Sequence, residues 1–142
     1  MTPQRRCLVL GATGRIGDVL RMFWGEAGAI WHTRGAVAGQ GPEWVRGDLL
    51  RDPEALIRAS QGAEAVLCLS GVVNGKGDVA LNVALGQAGV EIGAALGAPV
   101  LLASSAAVYG RAAEHAGGRL RGGLTLAADS GDGRAEAEVE AR

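Results

Sequence analysis

Three glycines, at positions 11, 14 and 17, can do chemistry here without any side chain. They follow the apolar run Cys7 to Leu10 and lead into Ile16, Val19, Leu20, Phe23 and Ala27, an apolar row at helical spacing. That is a buried strand handing over to a helix through a tight turn. Gly11 permits the sharp turn, Gly14 removes the side chain that would keep an anion from the main chain, and Gly17 lets the helix lie close to the strand. The first turn of the helix then presents unpaired N–H groups and the positive end of its dipole, a setting suited to a pyrophosphate. Spacing and setting together point to a dinucleotide.

A second chemical signal stands about 20 residues further on, where an acidic side chain would bond a ribose 2′-hydroxyl and an arginine would suit a 2′-phosphate. The chain has Thr33 and Arg34 there, with no Asp or Glu between Glu26 and Glu43. Arg34 therefore favours NADP over NAD; the alternative is an arginine solvated at a strand end. Asp48, in Gly47-Asp48-Leu49, can accept a hydrogen bond from an adenine amino group or simply start the turn that follows.

The elements that must position these groups alternate. Apolar runs predict strands over 7–10, 29–34, 44–46, 65–70 and 99–103. Helices are expected over 15–27, from Asp52-Pro53-Glu54 to a cap at Gly62, and over 78–96. Strand–helix–strand repeats with short connections specify an α/β fold, a doubly wound parallel sheet in the order 3-2-1-4-5. Ligands of such a sheet bind beyond the carboxyl ends of its central strands. The 78–96 helix carries two apolar rows, one through Val79, Val83 and Val90, the other through Leu81, Leu85, Ala88 and Ile92. Two rows need two covers, one the sheet and the other a second copy of the chain, which implies a homodimer.

Composition narrows the partners. A net charge of −1 over 142 residues gives no reason to expect nucleic acid or an anionic membrane. No apolar run in the sequence approaches the roughly 20 residues of a membrane span, and the cytoplasm is the expected compartment. Cys7 and Cys68 sit inside apolar runs and read as small buried hydrophobes in a reducing environment. His32 and His115 have no carboxylate or cysteine at ligand spacing, so no metal site is expected. Trp24, Trp31 and Trp44 are expected to pack around the first helices and strand edges. Lys76 and Asp78 read as solvated loop charges.

The ordered set GATGRIG (11–17), GDL (47–49), LSGVV (69–73), LNVALG (81–86) and SSAAVYG (104–110) resembles the extended short-chain dehydrogenase/reductase family, the NAD-dependent epimerase/dehydratase group. The resemblance covers residues 7–110. It implies a Rossmann fold in which Gly11, Thr13, Gly14, Arg15, Ile16 and Gly17 wrap the pyrophosphate. It also places Asp48 and Leu49 beside the adenine and Leu69, Ser70 and Gly71 under the ribose. Ser105 aligns with the family's serine that bonds the substrate oxygen undergoing hydride transfer, and the implied substrate is a small carbonyl or hydroxyl compound.

The family's acid/base is a tyrosine in a Tyr-x-x-x-Lys motif, its pKa lowered by the lysine. Aligned with that motif, this chain has Asp132 and Glu136; Tyr109 is its one tyrosine and Lys76 its one lysine. A carboxylate near its ordinary pKa is a poor acid at neutral pH, and Glu136 would repel the cofactor's phosphates. Residues 1–110 thus read as a dinucleotide-binding domain and 111–142 as a glycine-rich loop with a short helix. The substrate domain is expected to be absent and the chain a truncated cofactor half. Two functions follow: an oxidoreductase or isomerase by family resemblance, this chain being inactive alone, or a non-catalytic nucleotide-binding module or degenerate fragment.

Overall fold

The computed structural model describes residues 5–25, 28–35, 41, 43–71 and 79–103. In chain order the elements are β1 (Cys7–Leu10), α1 (Arg15–Trp24), β2 (Ala29–Thr33), β3 (Trp44–Arg46), α2 (Pro53–Ala59), β4 (Ala65–Cys68), α3 (Val79–Leu96) and β5 (Val100–Leu102). The five strands form one parallel sheet in the order β3-β2-β1-β4-β5, as expected from the sequence. Its register pairs Val9 with Trp31 and Leu67, Leu10 with Cys68, and His32 with Val45. The chain divides into two compact units, Met1–Ser70 with Gln87–Ala103, and Gly71–Gly86 with Ser104–Arg142. The sheet belongs to the first. In the second, the described residues are Gly71 and 79–86, the opening turns of α3.

Alternation along each strand sends side chains to opposite faces of the sheet. One face carries Val9, Ala29 and Trp31, which form a buried cluster with Ala12; Leu20 of α1, Trp44, Leu67 and Leu69 pack against it. Trp31, 2% exposed, lies between Trp24 and Trp44, with ring centroids 6.2 and 6.5 Å away. The Arg21 guanidinium lies over the Trp44 ring, 5.1 Å from its centroid. The tryptophans thus pack among themselves along α1, β2 and β3, as expected. The other face carries Leu10 and Cys68 beneath α3, where a Cβ added at Gly89 would fall 2.6 Å from Cys68 Sγ. A Cβ at Gly93 would strike Val100 Cγ2 at 2.1 Å, so glycines bring the second half of this helix down onto the strands. By length and composition α3 would suit a membrane span, and its second half packs on the strands through Gly89 and Gly93.

Several boundaries differ from the sequence expectation. Helix α1 ends at Trp24 instead of residue 27 because Gly25 turns to φ +61° and closes it, its N–H bonded to Arg21 O. Helix α2 starts as expected, with Asp52 Oδ1 accepting from Ala55 N–H at 3.3 Å and Pro53 in the first turn. It ends at Ala59 with Ser60 as its cap, ahead of Gly62, whose φ is +86°.

The larger correction concerns α1. Of the apolar row Ile16, Val19, Leu20 and Phe23, Leu20 packs on the core, whereas Ile16, Val19 and Phe23 are 59, 51 and 82% exposed, and Met22 beside them is 82% exposed. Gly17 decides the rotation: a Cβ there would lie 2.2 Å from Ala12 O, so the helix meets the chain through Gly17 and Leu20. Successive residues lie 100° apart around a helix, which carries the row through Ile16 round to the outside. Residue 27 lies outside the described residues. On α3, Val83, Ala88 and Ile92 are buried and Val90 is 46% exposed. Among the described residues, the longer exposed apolar row is therefore on α1.

Candidate functional site

The carboxyl ends of β1, β2 and β3 bring the predicted groups of the first unit together. β1 ends at Gly11, whose φ of +76° only glycine adopts without strain. A side chain there would also collide with Ser70, whose N and Oγ lie 2.9 Å from the Cβ position. Gly11 and Ser70 are thus adjacent, and Leu69 N–H bonded to Leu10 O at 2.9 Å holds the end of β4 beside the turn.

Within the turn the amides divide into used and open groups. Ala12 N–H donates to His32 O at 3.0 Å and Gly14 N–H to Gly11 O at 3.2 Å. Gly14 caps helix α1 without a side-chain hydrogen bond, and the first helical bond runs from Asp18 N–H to Gly14 O. The amides of Arg15, Ile16 and Gly17 are the orphans of the first turn, where the helix dipole is positive. Thr13, Gly14, Arg15 and Ile16 are exposed and Gly17 is buried.

The three glycines differ in why the fold needs them. Gly11 is required by its φ and by Ser70, and Gly17 by the backbone of Ala12. Gly14 is required by neither. Its φ of −76° suits any residue, and a Cβ there would meet only Gly11 O, at 3.5 Å. The space that a side chain at 14 would fill lies open above the orphan amides.

Arg34 is exposed just after β2, and Thr33 Oγ1 donates to Gly35 O at 3.1 Å. Asp48 starts the turn after β3: its Oδ1 accepts from Leu50 N–H at 2.9 Å and Arg51 N–H at 3.1 Å. These bonds hold its carboxyl below the usual carboxylate value, with smaller help from the Arg51 and Arg34 charges. Its Oδ2 has no hydrogen-bond donor among the described residues. Leu49 is 5% exposed and fills the interior behind the turn. Gly71 is exposed in the second unit, where a Cβ would meet Asn82 Oδ1 at 3.6 Å. Ser105, Asp132 and Glu136 lie outside the described residues.

The sequence reasoning missed His32. It is 2% exposed, its Nδ1 lies 3.1 Å from Gly11 N and its Nε2 2.8 Å from Gly47 O. The available signal was a polar ring directly after the apolar run Ala29-Ile30-Trp31.

No protein-family model matches the chain. No curated protein matches it either. Its structure does match solved ones. The UDP-N-acetylglucosamine 4-epimerase of Bacillus cereus aligns over 96% of this chain and 47% of its own, with TM-score 0.76 and 19% identity. The Bordetella bronchiseptica enzyme WbmG, solved with NAD and UDP, aligns over 96% and 48%, with TM-score 0.73 and 20% identity. A short-chain dehydrogenase/reductase superfamily protein from Agrobacterium tumefaciens, solved with NAD, aligns over 96% and 43%, with TM-score 0.72 and 25% identity. The chain spans about half the length of these structures. Its fold is the Rossmann fold of short-chain dehydrogenase/reductase and epimerase family members, as the motif resemblance implied.

Proposed function

We propose that this chain is the dinucleotide-binding part of a protein of the epimerase/dehydratase type, taking NADP in preference to NAD. The observation that carries the reading is Gly14: neither its φ nor any neighbouring atom requires a glycine there, whereas an anion approaching the orphan amides of α1 does. Gly11, Thr13, Gly14, Arg15, Ile16 and Gly17 would hold the pyrophosphate. Asp48 would turn its second carboxylate oxygen to the adenine amino group beside Leu49. Leu69, Ser70 and Gly71 would pass under the ribose, and Arg34 would pair with the 2′-phosphate bidentately. The NAD bound in two of the similar structures supports a nicotinamide dinucleotide as the cofactor class.

When bound, the nicotinamide would supply hydride transfer to or from a carbon bearing a hydroxyl or carbonyl oxygen, which Ser105 would hydrogen-bond. Turnover by this chain alone is not expected, because Asp132 and Glu136 stand where the tyrosine and lysine of the resemblance belong. That substitution favours the second reading, a nucleotide-binding module without catalysis. A homodimer through α3 and a cytoplasmic setting complete the proposal. Thermal-shift and tryptophan-fluorescence titrations with NADPH and NADH test it: stabilisation by NADPH above NADH is expected, and stabilisation by neither refutes it. A hydride-transfer assay on sugar nucleotides and simple carbonyls separates the two readings.

A further inference from the structure

We propose that His32 is the positioning residue of the dinucleotide site: held in one neutral tautomer, its ring ties the glycine turn to the turn that follows β3. The inference rests on the proposed function for what the two turns bind, and on geometry for the tie itself.

Gly11 N–H points at His32 Nδ1 from 3.1 Å, so Nδ1 must be the lone-pair nitrogen. The other nitrogen, Nε2, lies 2.8 Å from Gly47 O, a group that only accepts, so Nε2 carries the proton and donates. One ring therefore joins Gly11, where the pyrophosphate turn begins, to Gly47, the neighbour of Asp48. Main-chain bonds alongside it run from Ala12 N–H to His32 O and from Gly47 N–H to Thr33 O at 3.1 Å. Without the ring, the half-buried Gly11 N–H would lose the acceptor it has here.

The tie is conditional on charge. A second proton could go only to Nδ1, setting an N–H against the Gly11 N–H and removing the acceptor. The charged group whose field bears on the ring is Asp48, beyond β3, and it favours the charged ring together with the Gly47 bond. Burial outweighs it and pushes the ring below its ordinary value of 6.5. The ring is thus neutral at neutral pH and loses the tie only in more acid solution.

The test uses the full chain and three measurements. The ring nitrogens of 15N-histidine protein should show Nδ1 bare and Nε2 protonated at pH 7. Affinity for NADP and NAD, followed from pH 7.5 into the acid range over which the 15N signals show His32 Nδ1 taking up its proton, should fall in wild type. In His32→Asn, whose amide oxygen can accept from Gly11 N–H and takes up no proton, that fall should be absent. His32→Gln serves as a second non-titrating variant, and circular dichroism confirms that each stays folded at the temperature of the titration. A ring protonated at Nδ1 at pH 7 overturns the tie. Superimposable pH profiles for wild type and both variants overturn the positioning role. Absence of dinucleotide binding at every pH overturns the proposed function and the positioning role with it, while the nitrogen signals still report the tie, so the two failures are distinguishable.

Discussion

Replacing Gly14 and Gly17 by alanine, separately, should split binding from folding. At Gly14 the added Cβ meets only Gly11 O, at 3.5 Å, with φ −76°. Alanine loses less chain entropy than glycine on folding but is a poorer helix cap, and the two effects largely offset, within about 0.5 kcal/mol. At Gly17 the Cβ would lie 2.2 Å from Ala12 O and 2.5 Å from Ala12 C. Both are backbone atoms, so α1 must lift away, a strain of about 2–3 kcal/mol. For a chain of this size that lowers Tm by about 8–12 °C, against about 2 °C or less for Gly14→Ala. Binding should order the other way. The methyl at 14 stands above the orphan amides, and losing one N–H bond to a charged oxygen costs about 1.5–3 kcal/mol, a drop of at least about tenfold in dinucleotide affinity. Thermal melts and fluorescence titration on both variants check this. Gly14→Ala protein that melts like wild type and still binds NADPH with wild-type affinity would refute the assignment of the anion to this turn.

Arg34→Ala should lower NADPH affinity about tenfold or more while leaving NADH nearly unchanged, measured by paired titrations; equal losses for both would remove Arg34 from the 2′-phosphate. Asp52→Ala removes the side-chain acceptor for Ala55 N–H and should cost about 1 kcal/mol in urea unfolding, without altering NADPH affinity. The fold should also weaken in mild acid. The folded ring of His32 sits below 6.5, so the unfolded chain takes up its proton first and stability falls as pH drops below that value. Urea midpoints between pH 7.5 and 5.5 should therefore slope in wild type and flatten in His32→Asn; parallel slopes would contradict the buried neutral ring.

Strand order and the β1–turn–α1 handover were legible because glycine spacing and apolar runs are local properties of the chain. The rotation of α1 was not. Hydrophobic periodicity counts side chains, and Ile16, Val19 and Phe23 form a convincing row. The face that meets the chain is set instead by Gly17, which contributes closeness and no hydrophobicity. The same blindness hid Gly89 and Gly93 on α3, where Leu and Val residues drew the attention. His32 escaped for another reason: its partners are main-chain groups of Gly11 and Gly47, 21 and 15 residues away, and main-chain groups leave no trace in a side-chain pattern. Asp48 was legible as two alternatives, a turn-former or an adenine acceptor. One oxygen makes the turn, and among the described residues the other has no donor, so both alternatives stay open.

The bare stretch of α3 above Cys68 has a practical corollary. The thiol is 1% exposed, burial raises its pKa, and the helix backbone lies over it where Gly89 has no side chain. An alkylating reagent can reach that sulfur only when helix and strands part company, so the rate of its capture is a clock for the opening of this layer. Nature has in effect placed a reporter at the seam, and a bound ligand that clamps the strand ends would be seen there as a slower tick.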